Sequence, residues 1–153
     1  MLAHFFRQHS FKNHLLVCLQ FSGISLSCYP VGLKNNGHIL WLVLCAIGAA
    51  IGIWALCFNK VGNFSVYPEI KTHAKLITNG PYKFIRHPMY SALIIMMIGI
   101  ALYNFHLMNL FGVTMVIFAV ISKANEEEKL LLIKFPEYDK YQSSTKRFFP
   151  YIY

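Results

Sequence analysis

The chain has 153 residues, of which 56% are hydrophobic, 16% aromatic and only 13% charged, with a mean hydropathy of +0.47. A soluble domain carries about a quarter charged residues, so this composition excludes an intrinsically disordered chain, a collagen and a basic nucleic-acid-binding tail. The apolar residues are clustered in long runs. The composition therefore predicts an all-α integral membrane protein.

Four apolar runs follow in chain order, and we interpret each as a transmembrane helix. The first, residues 15–33, is the weakest, because polar residues and Pro30 interrupt it. A signal peptide is the alternative there, but no clear small-x-small cleavage site follows. Ile39–Phe58 is uninterrupted and has the roughly 20 residues that a spanning helix needs. Residues 89–103 and 107–122 are shorter and are separated by a tight polar turn, which predicts a helical hairpin.

The basic residues are divided unevenly by these spans. Four spans place both ends of the chain on one side of the membrane, and that side collects thirteen of the fourteen Lys and Arg residues, whereas only Lys34 lies opposite. Because Lys and Arg are concentrated in cytoplasmic segments, we expect both termini in the cytoplasm. The same distribution explains the net charge of +8 without a nucleic-acid partner.

The domain organisation is simple, since the sequence contains no internal repeat. We expect a single membrane domain over residues 1–153, with two N-terminal spans in residues 1–58 and a core with a cytoplasmic C-terminal helix in residues 59–153. The four cysteines form no C-x-x-C pair and the seven histidines are scattered, so neither a disulfide framework nor a metal site is expected.

The loop before the hairpin contains the most unusual run, Asn79-Gly80-Pro81-Tyr82-Lys83-Phe84-Ile85-Arg86-His87-Pro88-Met89-Tyr90. Each proline disfavours helical geometry at the preceding residue, Gly80 or His87. Pro88 suits the first position of the third helix, with His87 as its N-cap. The positive end of that helix attracts an anion such as a carboxylate. In the alternative, purely structural interpretation, His87 only caps the helix, Arg86 contacts lipid phosphates and Tyr90 belongs to the interfacial aromatic belt.

The second polar segment contains three consecutive glutamates, Glu126, Glu127 and Glu128, which are half of the six acidic residues. Asn125 and Glu128 fit a capping box that would start a separate cytoplasmic helix. The alternative is that the fourth helix continues into the cytoplasm, and Pro136 ends the helix in either case. The glutamates suit a first helical turn. Near the arginine–histidine–proline loop, they would instead complete a site for a zwitterionic cofactor.

These segments together resemble the isoprenylcysteine carboxyl methyltransferase family, which includes the phospholipid methyltransferases and many small bacterial relatives. The matching elements are Leu76-Ile77-Thr78-Asn79-Gly80-Pro81-Tyr82, Arg86-His87-Pro88-Met89-Tyr90, and Glu127-Glu128 with Leu131 and Phe135. The ending that looks like the bacterial branch is Phe135-Pro136-Glu137-Tyr138-Asp139-Lys140-Tyr141. The resemblance covers residues 63–150, and the first two helices add almost nothing to it.

The resemblance implies a membrane-embedded methyltransferase that uses S-adenosylmethionine. The acceptor would be a lipid or a small apolar molecule carrying a carboxylate, an amine or a thiol. The cofactor would lie under the cytoplasmic surface, against Leu76, Ile77, Tyr82, Arg86, His87, Pro88, Met89, Tyr90 and Glu127.

The resemblance also implies which residues contact the methyl acceptor. The position of the family's acceptor-contacting arginine is Lys123 here, and lysine is a point charge that lacks the two parallel N–H groups with which arginine grips a carboxylate. An isoprenylcysteine carboxylate is therefore not singled out as the acceptor. We expect Lys123 and Glu128 to take part in catalysis, with Glu128 positioning Lys123 or accepting a proton from an amine.

Two other functions compete with this one. Sterol reductases share a related helical arrangement, so an NADPH-dependent membrane reductase is one alternative, and a non-catalytic membrane subunit is the other. Because the chain is short and carries no obvious retention signal, we expect the inner membrane of a bacterium, among membrane lipids.

Overall fold

The computed structural model describes residues 11–29, 37–59, 63 and 65–150. This part of the chain forms five α-helices: α1 (Phe11–Cys28), α2 (Leu42–Phe58), α3 (Pro88–Asn104), α4 (Leu107–Lys134) and α5 (Tyr138–Ser144). Short 3-10 helices precede α2, at Ile39–Trp41, and lie in the following loop, at Gly80–Lys83. One parallel bridge joins Ile85 to Lys146. The predicted all-α class is therefore confirmed for the described residues.

Helices occupy all four predicted apolar runs, but they differ in their capacity to span a membrane. Among the described residues, Ile39–Phe58 and Leu107–Lys134 are long and apolar enough to cross one, and Pro88–Asn104 is apolar but shorter. The first run forms α1 up to Cys28. Its predicted end, residues 30–33, lies outside the described residues, as does Lys34.

Two close helix pairs build the fold, α1 with α4 and α2 with α3. Where α1 crosses α4, a Cβ atom added to Gly112 would lie 2.5 Å from the backbone nitrogen of Ser27, and one added to Gly23 would lie 2.8 Å from the carbonyl oxygen of Gly112. Where α2 crosses α3, a Cβ on Gly99 would lie 2.9 Å from the carbonyl oxygen of Trp41. Small residues of this kind allow helix backbones to approach closely in lipid.

An apolar core between α3 and α4 joins the two pairs. Its fully or largely buried members are Ile94, Met97, Ala101, Val113, Val116 and Val120. At the end of the core away from the polar loop, Asn109 is completely buried and donates to the carbonyls of Leu26 at 3.0 Å and Ser27 at 3.1 Å. These carbonyls belong to the last turn of α1, where a helix has no internal partners for them. Asn109 therefore satisfies backbone groups that would be costly to leave unpaired in an apolar environment.

The tight turn of the hairpin consists of two residues. Phe105 ends α3 in the left-handed conformation, with φ of 56°. The backbone N–H of His106 then donates to the side chain of Asn109 at 2.9 Å, which fixes the start of α4.

The fourth helix is longer than its apolar run. It continues without a break to Lys134, so the separate helix predicted from Asn125 and Glu128 is wrong and the alternative, one continuous helix, is correct. The charged residues end the apolar run but not the helix. Lys, Ala and Glu are strong helix formers, so the helix continues through them. All charged residues of α4 lie in positions 123–134, outside the apolar run. The helix ends before Pro136, as predicted, and a separate C-terminal helix begins at Tyr138.

Candidate functional site

A cleft with a volume of about 180 Å³ lies where the loop after α2, the start of α3 and the charged part of α4 meet. All nine residues predicted to contact a cofactor line this cleft: Leu76, Ile77, Tyr82, Arg86, His87, Pro88, Met89, Tyr90 and Glu127. Sequence reasoning did not place the other lining residues at a site: Asn59, Asn63, Ser65, Tyr67, Glu69, Ile70, Ala74, Lys75, Leu131, Phe135, Tyr138 and Tyr141. The two predicted acceptor-side residues, Lys123 and Glu128, lie elsewhere, as described below.

His87 is held in place by the C-terminal segment. Pro88 starts α3, and His87 stands before it at the N-cap with φ −122° and ψ 59°, outside helical geometry. Its backbone N–H donates to the carbonyl of Arg147 at 3.0 Å. The imidazole is 6% exposed and stacks on the ring of Tyr90, with 5.5 Å between centroids, while the ring of Phe148 lies 5.7 Å away. These contacts fix the orientation of the ring.

Glu127 supplies a carboxylate to the cleft. It accepts a hydrogen bond from the hydroxyl of Tyr90, and one of its oxygens lies 3.7 Å from Nδ1 of His87. The side chain keeps 21% of its surface exposed, toward the cleft, while protein atoms surround the rest. Burial raises the pKa of Glu127, and the charge of His87 and the bond from Tyr90 offset this only in part. A positively charged ligand group would therefore stabilise the ionised form.

Glu128 lies behind the wall of the cleft, in a buried ion cluster. Its carboxylate oxygens lie 2.9 Å from Nε of Arg86, 3.1 Å from Nε2 of His87 and 3.1 Å from Nη2 of Arg147. Burial by itself raises the pKa of Glu128, but the hydrogen bonds from His87 and Arg86 outweigh it and lower the pKa to about 2. This carboxylate is therefore ionised at neutral pH and binds three basic side chains together.

Lys123 has a different partner from the predicted one. Its side chain is almost completely buried, and its ammonium donates to the amide oxygen of Gln20 on α1 at 2.6 Å, 6.0 Å from the centroid of the Tyr90 ring. Residues five apart on an α-helix point about 140° away from each other. Glu128 and Lys123 therefore face different sides of α4. The expectation that Glu128 positions Lys123 is corrected accordingly.

The loop between α2 and α3 forms the outer wall of the cleft. Within this loop, the side-chain amide of Asn63 bonds twice to the backbone of Lys75. Its Nδ2 donates to the carbonyl of Lys75 at 2.8 Å, and its Oδ1 accepts from the backbone N–H of Lys75 at 3.0 Å. Lys134 at the end of α4 donates to the carbonyl of Thr72 at 3.0 Å, which ties the loop to the helix. Gly80 has φ of 61°, and a Cβ there would lie 2.5 Å from the ring of Phe58. A larger residue at this position would therefore be strained.

Tyrosine hydroxyls also face the cleft, among them those of Tyr82 and Tyr141. Burial and the charge of Glu127 raise the pKa of Tyr82 to about 12, so its hydroxyl stays neutral at physiological pH. Burial also raises the pKa of Tyr141, whose hydroxyl donates to the carbonyl of Tyr82 at 2.6 Å. In the part of the chain that the structure describes, no group of three or more His, Cys, Asp or Glu residues could hold a metal ion.

The fold and the cleft define a helical protein with a mixed-charge ligand site beside its apolar helices. A sequence model of the family described as "Phospholipid methyltransferase" matches residues 37–137, which is about two thirds of the chain. The chain therefore belongs to the phospholipid methyltransferase family, and it is a membrane protein of a methyltransferase family. The match contains all nine predicted cofactor residues but not α1 or α5.

One relative comes from Alcaligenes xylosoxydans xylosoxydans and is named "Nickel-cobalt-cadmium resistance protein NccN". It is 28% identical to this chain over 121 residues, which cover 75% of this chain and 56% of the relative. The chain thus spans about half the length of that relative.

Proposed function

We propose that this protein is an S-adenosylmethionine-dependent methyltransferase that acts on a lipid or a small apolar acceptor. We place it in the inner membrane of a bacterium, with four spanning helices and both termini in the cytoplasm. The observation that carries the proposal is that Glu127 and the N-terminal end of α3 at His87 face the same cleft. A family of membrane methyltransferases supports the reaction class.

The cleft offers a partner for each part of the cofactor. Glu127 would hold the ammonium of the amino-acid part, and the helix end at His87, with Arg86 behind it, would attract the carboxylate. Leu76, Ile77 and other apolar lining residues suit the uncharged parts. The cleft volume of about 180 Å³ is below the roughly 300 Å³ at which small-molecule pockets usually begin, so we expect the outer loop to move outward on binding.

The cofactor would supply a methyl group on a positively charged sulfur. The nucleophilic atom of the acceptor would bond to the methyl carbon in line as the carbon–sulfur bond breaks, and neutral-sulfur S-adenosylhomocysteine would leave, with the proton of an amine or thiol acceptor passing to water. This reaction needs little acid–base catalysis, because the sulfur loses its charge as the methyl group leaves. The protein therefore contributes mainly through positioning and the exclusion of water. The stacked rings of His87 and Tyr90, fixed by Glu127 and Phe148, would provide a rigid wall for this purpose.

We place the methyl acceptor beside Lys123, whose ammonium lies 6.0 Å from the centroid of the Tyr90 ring. Lys123, held by Gln20, is the residue that we propose to contact the acceptor, which would enter between the helices from the lipid. Glu128 has a pKa of about 2, and such a carboxylate is a weak proton acceptor at neutral pH. We therefore propose that Glu128 positions Arg86 and His87 and does not take a proton from the acceptor.

Calorimetric titration with S-adenosylhomocysteine tests the proposal. The purified, detergent-solubilised protein should bind this product of the cofactor, and Glu127→Gln should weaken binding by about tenfold or more, because a charge-assisted hydrogen bond is lost. Glu126→Gln is the matched control, since the neighbouring Glu126 points to the surface and pairs with Lys12 at 2.6 Å. It should bind like the wild type.

The proposal is rejected if the folded wild-type protein does not bind S-adenosylhomocysteine. NADPH is then titrated, and binding of NADPH would favour the reductase. If neither ligand binds, the non-catalytic membrane subunit becomes the better interpretation.

A further inference from the structure

One tyrosine that lines the cleft has a buried hydroxyl without a hydrogen-bond partner among the described residues. Tyr138 is 1% exposed, and its hydroxyl oxygen is buried. Buried polar groups in proteins are almost always hydrogen-bonded, because a buried donor left unpaired is unfavourable. The hydroxyl of Tyr138 therefore needs an acceptor that the described part of the chain does not supply.

The carboxylate that acts on Tyr138 is already fully used. Burial, and then the charge of Glu128, raise the pKa of the Tyr138 hydroxyl, but no hydrogen bond joins the two groups. An ionised carboxylate has about four acceptor positions. Four donors approach that of Glu128: Arg86 Nε at 2.9 Å, His87 Nε2 at 3.1 Å, Arg147 Nη2 at 3.1 Å and Gln142 Nε2 at 3.4 Å.

The neighbouring tyrosine shows the ordinary arrangement for a buried hydroxyl. Tyr141 lies on the same helix, α5, and its ring centroid is 5.7 Å from that of Tyr138. Its hydroxyl donates to the carbonyl of Tyr82 at 2.6 Å. Both tyrosines line the cleft. Of these two hydroxyls, that of Tyr138 is the one left for a ligand.

The charges around Tyr138 favour an anion as its acceptor. The hydroxyl keeps its proton at neutral pH, since its pKa is raised, and it is a hydrogen-bond donor. The charge of Arg86 also acts on it, and Arg86 lines the same cleft. In the ion cluster, Arg86 and Arg147 together outweigh the single charge of Glu128. A carboxylate of a ligand would be attracted to this position.

We propose that the hydroxyl of Tyr138 donates a hydrogen bond to the carboxylate of the cofactor's amino-acid part. This inference rests on the proposed function, in which Glu127 holds the ammonium of the same amino acid. One carbon separates the two groups of an α-amino acid, so their partners must lie close together, and the charge of Glu127 does act on Tyr138. The outward movement that we expect of the outer loop would open the buried hydroxyl to the ligand.

Calorimetry with two probes tests the inference: S-adenosylhomocysteine and its decarboxylated form, which keeps the ammonium. Tyr138→Phe should weaken binding of S-adenosylhomocysteine by about tenfold and leave the decarboxylated probe unchanged, because a hydrogen bond to a charged group is lost. Glu127→Gln should weaken both probes. Unchanged affinities in Tyr138→Phe, or equal losses for the two probes, would overturn the inference. Absence of S-adenosylhomocysteine binding in the wild type would instead overturn the proposed function.

Thermal unfolding in detergent, without added ligand, provides a second readout. Removing an unpaired buried hydroxyl should leave the melting temperature of Tyr138→Phe equal to that of the wild type or higher. Tyr141→Phe is the matched comparison on the same helix, and it should lower the melting temperature, because it leaves the carbonyl of Tyr82 without its donor. A lower melting temperature in Tyr138→Phe as well would show that its hydroxyl has an internal partner, which would contradict the inference.

Discussion

The guanidinium Nε of Arg86 lies 2.9 Å from a carboxylate oxygen of Glu128, although the two residues are 42 positions apart. Arg86 also donates to the carbonyl of Gln142 at 2.9 Å, and Arg147 approaches the other carboxylate oxygen at 3.1 Å. The side chains of Arg86 and Glu128 are 11% and 10% exposed. This cluster therefore joins the start of α3, the end of α4 and the C-terminal segment behind the cleft.

Replacing Glu128 by Gln should destabilise the fold strongly. The variant leaves Arg86 and Arg147 buried without their carboxylate, and breaking a buried pair in this way costs about 3–5 kcal/mol. Thermal unfolding in detergent, followed by circular dichroism, would measure the loss. A melting temperature within a degree or so of the wild type would contradict the role of the cluster.

The stabilisation by Glu128 should also depend on pH in a defined window. Its pKa in the folded state, about 2, lies below the ordinary value of 4.5, so its contribution is fully present above pH 4.5 and disappears as the pH falls toward 2. The difference in stability between the wild type and Glu128→Gln should therefore shrink on acidification within that range. A constant difference would show that ionisation of Glu128 is not involved.

Binding of S-adenosylhomocysteine should weaken in acid because of Glu127. The pKa of this carboxyl is raised by burial, so it protonates at a higher pH than an exposed glutamate, and its neutral form cannot pair with an ammonium. Calorimetry over a series of pH values should show affinity falling in the wild type and in Glu126→Gln. The fall should be absent from Glu127→Gln, and its persistence there would assign it to another group.

The glycine at the α1–α4 crossing should not tolerate a methyl group. In Gly112→Ala, the new Cβ would lie 2.7 Å from the carbonyl oxygen of Gly23, and such overpacking costs about 1–3 kcal/mol. Gly52→Ala is the matched control, because its Cβ would meet the Cβ of Ala92 at an ordinary 3.5 Å. Thermal unfolding should show a lower midpoint for Gly112→Ala only. Equal midpoints would argue against the close crossing.

The contact between Gln20 and Lys123 should affect methyl transfer more than cofactor binding. Neither residue lines the cleft that the nine predicted cofactor residues line. The charge of Lys123 does reach Glu127 in that cleft and lowers its pKa. Gln20→Leu should therefore bind S-adenosylhomocysteine like the wild type but transfer less methyl to the acceptor. Lys123→Met should also transfer less methyl, with a smaller loss of cofactor affinity, because the pKa of Glu127 rises without the charge of Lys123. In the double variant the losses should be less than additive, since the two residues act as one unit. A loss of cofactor affinity in Gln20→Leu would place the pair in the cofactor site.

Local sequence signals indicated the loop and the start of α3 at His87, whereas the nine predicted cofactor residues came from the family resemblance. Pro88 fixes where α3 begins, and the run from Leu76 to Tyr90 is contiguous, so the residues near it come together for short-range reasons. The position of Glu127 on the same cleft required the hairpin, which the short turn between two apolar runs indicated. The roles of these residues in binding stay predictions until a ligand is measured.

Long-range contacts account for what the sequence did not reveal. The closure of the loop by Asn63 and Lys75, and the pairing of Arg147 with Glu128, depend on side chains that carry no periodic pattern. The length of α4 was underestimated because hydropathy reports the membrane boundary, whereas the helix continues for as long as its residues favour helical geometry.

The most direct test of the central claim is methyl transfer itself. The wild type, Glu127→Gln and Glu126→Gln would each be reconstituted into vesicles of bacterial lipid extract and supplied with S-adenosylmethionine labelled in its methyl group. The account predicts label in an organic-soluble product with the wild type and with Glu126→Gln, and little with Glu127→Gln. Equal label in all three, or none in the presence of wild-type protein that binds S-adenosylhomocysteine, would contradict it.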